Sequence, residues 1–156
     1  MAKETTEVKL RESLKVFGNK VWFMKIQQNP LSGYPSPADF LVLTEDSRIL
    51  IECKQTNLSS SKSFSMKRLT QEMDLIQFER AFNSHRAYVL LCFWGRRMDK
   101  SYYFMLPIDA YLTIKGEMGL INRKSINYQY LLDRQKQYLM PILKGSLLDI
   151  WEFLYK

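Results

Sequence analysis

The chain has one histidine, His85, in 156 residues, which argues against chemistry built on imidazole bases or clustered histidine ligands. It has two cysteines, Cys53 and Cys92. Each sits in an apolar run with no His or Cys neighbour at metal-ligand spacing. That speaks against a zinc site and for buried free thiols in a reducing compartment. No apolar run approaches the roughly 18–20 residues of a membrane span. The opening segment MAKETTEVKL lacks an apolar secretory core. Internal repeats and low-complexity linkers are absent too. The expectation is a soluble cytoplasmic protein in which residues 1–156 form one domain, of a size compatible with a phage origin.

The composition is that of a globular protein, 46% apolar and 25% charged. The formal charge is +7 and the pI about 9.4. Such a balance favours a polyanionic partner, because bound phosphates release condensed counterions; a mildly basic protein without that role has the same totals. The pattern predicts a helix over about 4–18 with Val8, Leu10, Leu14 and Phe17 on one face and Gly18 as its stop. A strand is expected at Val21–Gln27, then a turn-rich loop at 29–37. A hairpin follows, Ala38–Thr44 and Arg48–Gln55, turned at Glu45-Asp46-Ser47. Leu69–Phe82 reads as an amphipathic helix with Met73, Ile76, Leu75 and Phe82 inward and Thr70 near its cap. Strands at Ala87–Trp94 and Tyr102–Pro107 come next, then a short helix from Ile108 and an apolar helix at about 147–155. The order implies an α/β/α sandwich around a mixed sheet.

Chemistry concentrates in the hairpin. Asp39 opens its first strand, and Glu52 and Lys54 lie two apart on its second, so their side chains share one face. The hairpin brings Asp39 beside Glu52, while Cys53 points to the opposite face. Glu-x-Lys on a strand is often only a solvated ion pair. Here, though, the charges are expected at the mouths of apolar strands, after Pro37-Ala38 and after Ile49-Leu50-Ile51. Two carboxylates supply hard oxygen donors for Mg²⁺, with Mn²⁺ expected to substitute, and leave room for water and phosphate. The Cys53 carbonyl is a further candidate ligand. Lys54 is suited to orienting a water or to neutralising charge on a phosphoryl group.

Ser-Pro-Ala-Asp39-Phe followed by Ile-Leu-Ile-Glu52-Cys-Lys54 resembles the signature of PD-(D/E)xK nucleases. More narrowly, the chain over roughly 7–135 resembles Holliday-junction resolvases of the RecU group and their archaeal Hjc-like relatives. Glu52-Cys-Lys-Gln-Thr56, then Ser63-Phe64, the Arg86–Leu91 strand and Arg123-Lys124-Ser125-Ile126 carry the likeness to RecU. Glu7, Leu10, Leu14 and Gly18 match the Hjc-like helix spacing. The resemblance implies a restriction-endonuclease-like core and a magnesium-dependent, structure-selective endonuclease. It further implies a homodimer resolving branched DNA, specifically four-way junctions. Glu7 becomes a further carboxylate near the metal, and Ser36 matches a loop serine near the DNA. Gln71 is the nearest match to a helix glutamine of the active site, with Gln77 as second choice. Basic residues available to phosphates are Lys62, Lys67, Arg68, Arg96, Arg97, Arg123 and Lys124. Trp22, Trp94 and Tyr34 could stack on bases, with packing as the commoner role for strand tryptophans. The chain departs from RecU in lacking the long stalk insertion before the catalytic Asp. A nuclease of the same fold acting on other DNA, or a non-catalytic DNA-binding protein, are the alternatives.

Overall fold

The computed structural model describes residues 5–27, 36–96 and 101–155. Its centre is a five-stranded mixed sheet in the order β1-β2-β3-β5-β6. The strands are β1 (Trp22–Lys25), β2 (Phe40–Leu43), β3 (Arg48–Asn57), β5 (His85–Trp94) and β6 (Tyr102–Pro107). β1, β2 and β3 form an antiparallel meander. β5 runs parallel to β3 across a helical crossover, and β6 returns antiparallel. A two-stranded ribbon, β4 (Ser63–Ser65) with β7 (Ser125–Asn127), stands apart from this sheet.

Helices cover both faces, as an α/β/α sandwich requires. One face carries α1 (Thr6–Lys15) and α5 (Trp151–Tyr155). There Leu10, Leu14, Ile150 and Leu154 meet Ile49, Ile51, Cys53, Leu90 and Cys92. The other face carries α2 (Glu72–Ala81), α3 (Ile108–Leu120) and α4 (Tyr128–Arg134), with the ribbon. There Leu75, Tyr111, Ile114, Ile126 and Leu131 meet Leu50, Val89, Leu91 and Phe93. The period-2 alternation of β3 and β5 divides the two cores cleanly: their odd and even positions go to opposite sides. Both cysteines are buried and free. No helix among the described residues is long and apolar enough to cross a membrane.

Several expectations shift in detail. α1 is shorter than the expected 4–18; Thr5 caps it by accepting from the Val8 amide at 3.2 Å. Gly18 lies beyond its end with φ of +54°, a backbone setting that glycine tolerates best. In α2, Leu75 is the buried anchor, whereas Met73 and Phe82 are 62% and 66% exposed. Phe82 has left the helix: it is the extended C-terminal residue and packs its ring on His85 instead. Thr70 does not cap α2; Gln71 occupies that position without a side-chain cap bond. The helix from Ile108 runs 13 residues rather than ending early. The final helix begins at Trp151 rather than near 147. Trp22 is 53% exposed on the edge strand, whereas Trp94 packs against the core.

Candidate active site

The site forms where one strand ends and its neighbour continues. β2 stops at Phe40, and Asp39 donates its amide to Ile51 at 3.1 Å as the last rung of the ladder. β3 runs on to Asn57 because β5 stays paired with it throughout. Beyond Ile51, the β2-side edge of β3 has lost its backbone partner, and side chains replace it. The Asp39 carboxylate accepts the Cys53 amide through Oδ2 at 2.8 Å. A residue's N–H and C=O leave a strand by the same edge, so the Cys53 carbonyl faces this gap as well. Farther along, Gln55 Oε1 accepts from both the amide (3.0 Å) and the hydroxyl (2.8 Å) of Thr6, docking the start of α1 onto β3. Arg68 reaches the same edge and donates to the Gln55 carbonyl at 2.9 Å and the Thr56 hydroxyl at 3.2 Å.

The gap opens into a cleft of about 700 Å³ that Glu7, Lys25, Ser36, Asp39, Glu52, Lys54 and Gln71 help to line. Glu52 is only 2% exposed. It is therefore not at a strand mouth, as the sequence suggests, but in mid-strand beside a gap made by the short partner. The Lys54 ammonium lies 3.0 Å from Glu52 Oε1. Glu52 Oε2 is buried and has no hydrogen-bond partner among the described residues, and neither does Gln71 Oε1. A buried acceptor left unmatched costs on the order of 1–3 kcal/mol; when the pair holds a proton, the Asp39 and Glu52 carboxyls hydrogen-bond each other.

Electrostatics point the same way. Burial, followed by repulsion from Asp39, pushes the Glu52 carboxyl up to about 7 against the pull of Lys54. Burial also raises Asp39, offset by the Cys53 amide, with the Glu7 charge adding to the rise. Taken alone, the protein thus holds a proton in this pair near neutral pH. A hard cation answers the same need. The donor set fits one: the oxygens of Asp39 and Glu52, the orphaned Oε2 among them, and the adjacent Cys53 carbonyl. Among the described residues no three His, Cys, Asp or Glu side chains converge as a complete metal cage, so water and phosphate oxygens would fill the remaining positions.

Glu7 lines the cleft but is paired with Lys25. Lys25 is the charged residue of the cleft that the sequence alone did not place there, along with the neighbouring Ile26 and Gln27 and with Thr70. It sits on β1 opposite Phe40, and the only signal for it was a lone charge ending an apolar strand. Ser36 lines the cleft and donates to the Ala38 carbonyl at 2.9 Å. Gln71 lies in the cleft, whereas Gln77 is exposed along α2. Lys67 and Arg68, adjacent in sequence, do not act as one pair. Arg68 turns to the β3 edge, over the Phe64 ring at 5.3 Å, and Lys67 lines a different cleft with Arg123 and Lys124. Lys62 and Arg96 are exposed outside these clefts. Arg97 and Tyr34 lie outside the described residues.

Because Gln55 ties α1 to the site, Gln55→Ala should remove its two hydrogen bonds from Thr6 together with the one it donates to Asn57 at 3.3 Å, and destabilise the protein by about 1–3 kcal/mol. It should also let Glu7 drift from the cleft. Urea denaturation measures the first effect. Hydrogen exchange at the start of α1 measures the second; protection there equal to wild type would refute the tether.

No protein-family model matches the chain, and no curated protein matches it. Among solved structures it is similar to Hjc from Archaeoglobus fulgidus, a Holliday junction resolvase from an archaeal hyperthermophile. The TM-score is 0.40 and the identity 18%, over 64% of this chain and 74% of that one.

Proposed function

We propose that this protein is a magnesium-dependent endodeoxyribonuclease that hydrolyses phosphodiester bonds in branched DNA, acting as a homodimer on four-way junctions. The observation that carries the reading is the Asp39–Glu52 pair beside the cleft, with Lys54 bonded to Glu52, whose second carboxylate oxygen is buried and unmatched among the described residues. A structural ion pair with Lys54 has no use for a second carboxylate oxygen that is buried and unmatched among the described residues.

Each residue then has a task. Asp39 and Glu52 would hold the cation, with the Cys53 carbonyl as a candidate third oxygen. Asp39 has its geometry fixed by the Cys53 amide. A divalent cation bound there polarises the phosphodiester and lowers the pKa of a water. Lys54, partly buried and 3.0 Å from Glu52, is held where its ammonium can meet charge developing on the phosphoryl oxygens or orient the attacking water. Gln71 lines the cleft, and its buried Oε1, unmatched among the described residues, could accept a hydrogen bond from a water entering there. Glu7, paired with Lys25 at the cleft, would add a further carboxylate near the cation. Lys25 and the other basic residues supply the polyanion field.

Glu7→Gln keeps the shape and a Lys25 contact, so it should slow cleavage by roughly 10–100-fold, the range of outer-shell partners, without lowering the melting temperature. A lowered melting temperature with normal activity would make Glu7 structural. The substrate class is tested by relative rates on a four-way junction and on linear duplex of the same arm sequence. Paired nicks confined to the junction are expected. Equal cutting of the duplex would retain the nuclease and discard the junction role. Tight binding without any cutting would favour a non-catalytic binding protein.

A further inference from the structure

A second cleft of about 380 Å³ lies on the far side of the segment that leads into α2. It is lined by Met66, Lys67, Leu69, Glu72, Lys115, Gly119, Arg123 and Lys124. Its cations come from three separated parts of the chain, and the backbone brings them together. The β4–β7 ribbon aligns Ser65 with Ser125, and the Met66 amide donates to the Lys124 carbonyl at 3.1 Å. The Arg123 amide donates to Met118 at 2.8 Å, fixing the turn after α3, where Asn122 takes φ of +59°. Glu72 is the one carboxylate in the lining, and it is already bonded to Lys115 at 2.8 Å. Among the described residues Lys67, Arg123 and Lys124 form no ion pair. Three like charges held in a concavity repel one another and focus a positive potential into it.

We propose that this cleft is a second nucleic-acid subsite, holding the phosphodiester backbone of the strand a few nucleotides from the bond being cut. The inference rests on the nuclease reading and extends it. Two features favour a nucleic-acid backbone over an isolated anion. The floor is apolar, formed by the buried side chains of Met66 and Leu69. A cationic rim over an apolar floor suits a strand in which charged phosphates alternate with deoxyribose faces. The second feature is position. Thr70 and Gln71 line the Asp39–Glu52 cleft, whereas Leu69 and Glu72 line this one. The two clefts thus lie on either side of one short stretch of backbone, from Leu69 to Glu72.

Gly119 supplies the test. It lines the cleft on the last turn of α3, and a Cβ built there meets nothing within 4 Å. Gly119→Glu therefore places a negative charge in the cleft without steric conflict, and a helical glycine is replaced by a better helix former. Gly119→Gln is the neutral control. Binding of a fluorescein-labelled four-way junction is followed by anisotropy in EDTA across a NaCl series. Gly119→Glu should weaken binding about tenfold, with Gly119→Gln close to wild type. Arg123→Ala combined with Lys124→Ala should reduce the slope of log affinity against log salt by about 2, two phosphate contacts' worth. Affinities and slopes within error of wild type would overturn the subsite, as would equal losses for the Gln and Glu variants. Loss of binding to anionic lipid vesicles with unchanged DNA binding would assign the cleft to a membrane surface and overturn it too. Because binding is read without turnover, a wild-type protein that binds but never cuts in Mg²⁺ would defeat the nuclease reading and leave this result standing.

Discussion

Glu52→Gln should abolish cleavage and stabilise the metal-free protein. The loss of rate is expected to reach at least 10³-fold, beyond the 10–100-fold of outer-shell partners, since the charge and one oxygen of a direct ligand are removed. The gain in stability follows from the cost of the native carboxylate. Burial and the Asp39 charge push Glu52 up to about 7 from 4.5. Between those values the folded chain holds a proton that the unfolded chain releases, so stability falls as pH rises through the window and stays lowered above it. Each pKa unit corresponds to 1.36 kcal/mol, so the neutral amide should recover on the order of 1–3 kcal/mol at pH 8. Melting temperatures measured in EDTA between pH 5 and pH 8 test this. The wild type should lose stability over that range and the variant should lose much less. Parallel profiles would mean that Glu52 carries no buried strain and is an ordinary ion-pair partner of Lys54.

Asp39 behaves in the opposite sense, although it is the other half of the same pair. Its Oδ2 takes the place of the missing strand by accepting the Cys53 amide at 2.8 Å. Asp39→Ala strands that buried N–H and should cost about 1–3 kcal/mol while eliminating cleavage. Asp39→Asn can still accept the Cys53 amide through its carbonyl oxygen. It should therefore restore most of the stability and none of the activity. Denaturant midpoints for the three proteins measure the first part, and single-turnover cleavage the second. Full activity in the Asn variant would remove Asp39 from the site; equal destabilisation of Asn and Ala would remove its structural role.

The opposite signs have one source. β2 is too short to cover β3, so Asp39 is drawn into the ladder while Glu52 is left beside the gap. Part of this was legible in the sequence. Alternation along Arg48–Gln55 put Glu52 and Lys54 on one face and Cys53 on the other, and the Glu45-Asp46-Ser47 turn set Asp39 opposite Glu52. What alternation could not show is that β3 continues to Asn57, because that depends on the parallel partner β5, distant in sequence. A charge in mid-strand beside a truncated neighbour looks, in one dimension, like a charge at a strand end. The same limit hid Lys25, whose place in the cleft comes from the pairing of β1 with β2. The ribbon of β4 and β7 was invisible for another reason. Its strands are three residues each and 62 positions apart, Ser63 to Ser125, too short for any periodicity. Without the ribbon, Lys67 and Lys124 read as separate surface charges rather than as walls of one cleft. Met73 and Phe82 went outward because Leu75 alone anchors α2 at full burial, and apolar identity does not decide which way a half-buried helix turns.

The most direct test of the Asp39–Glu52 site is cleavage of an end-labelled synthetic four-way junction by wild type and Glu52→Gln, each in Mg²⁺ and in EDTA. Paired nicks are expected with wild type in Mg²⁺ alone, none in EDTA, and none with the variant despite undiminished junction binding. Cleavage by the Gln variant at a rate near that of wild type, or wild-type cleavage that persists in EDTA, would contradict the Asp39–Glu52 site.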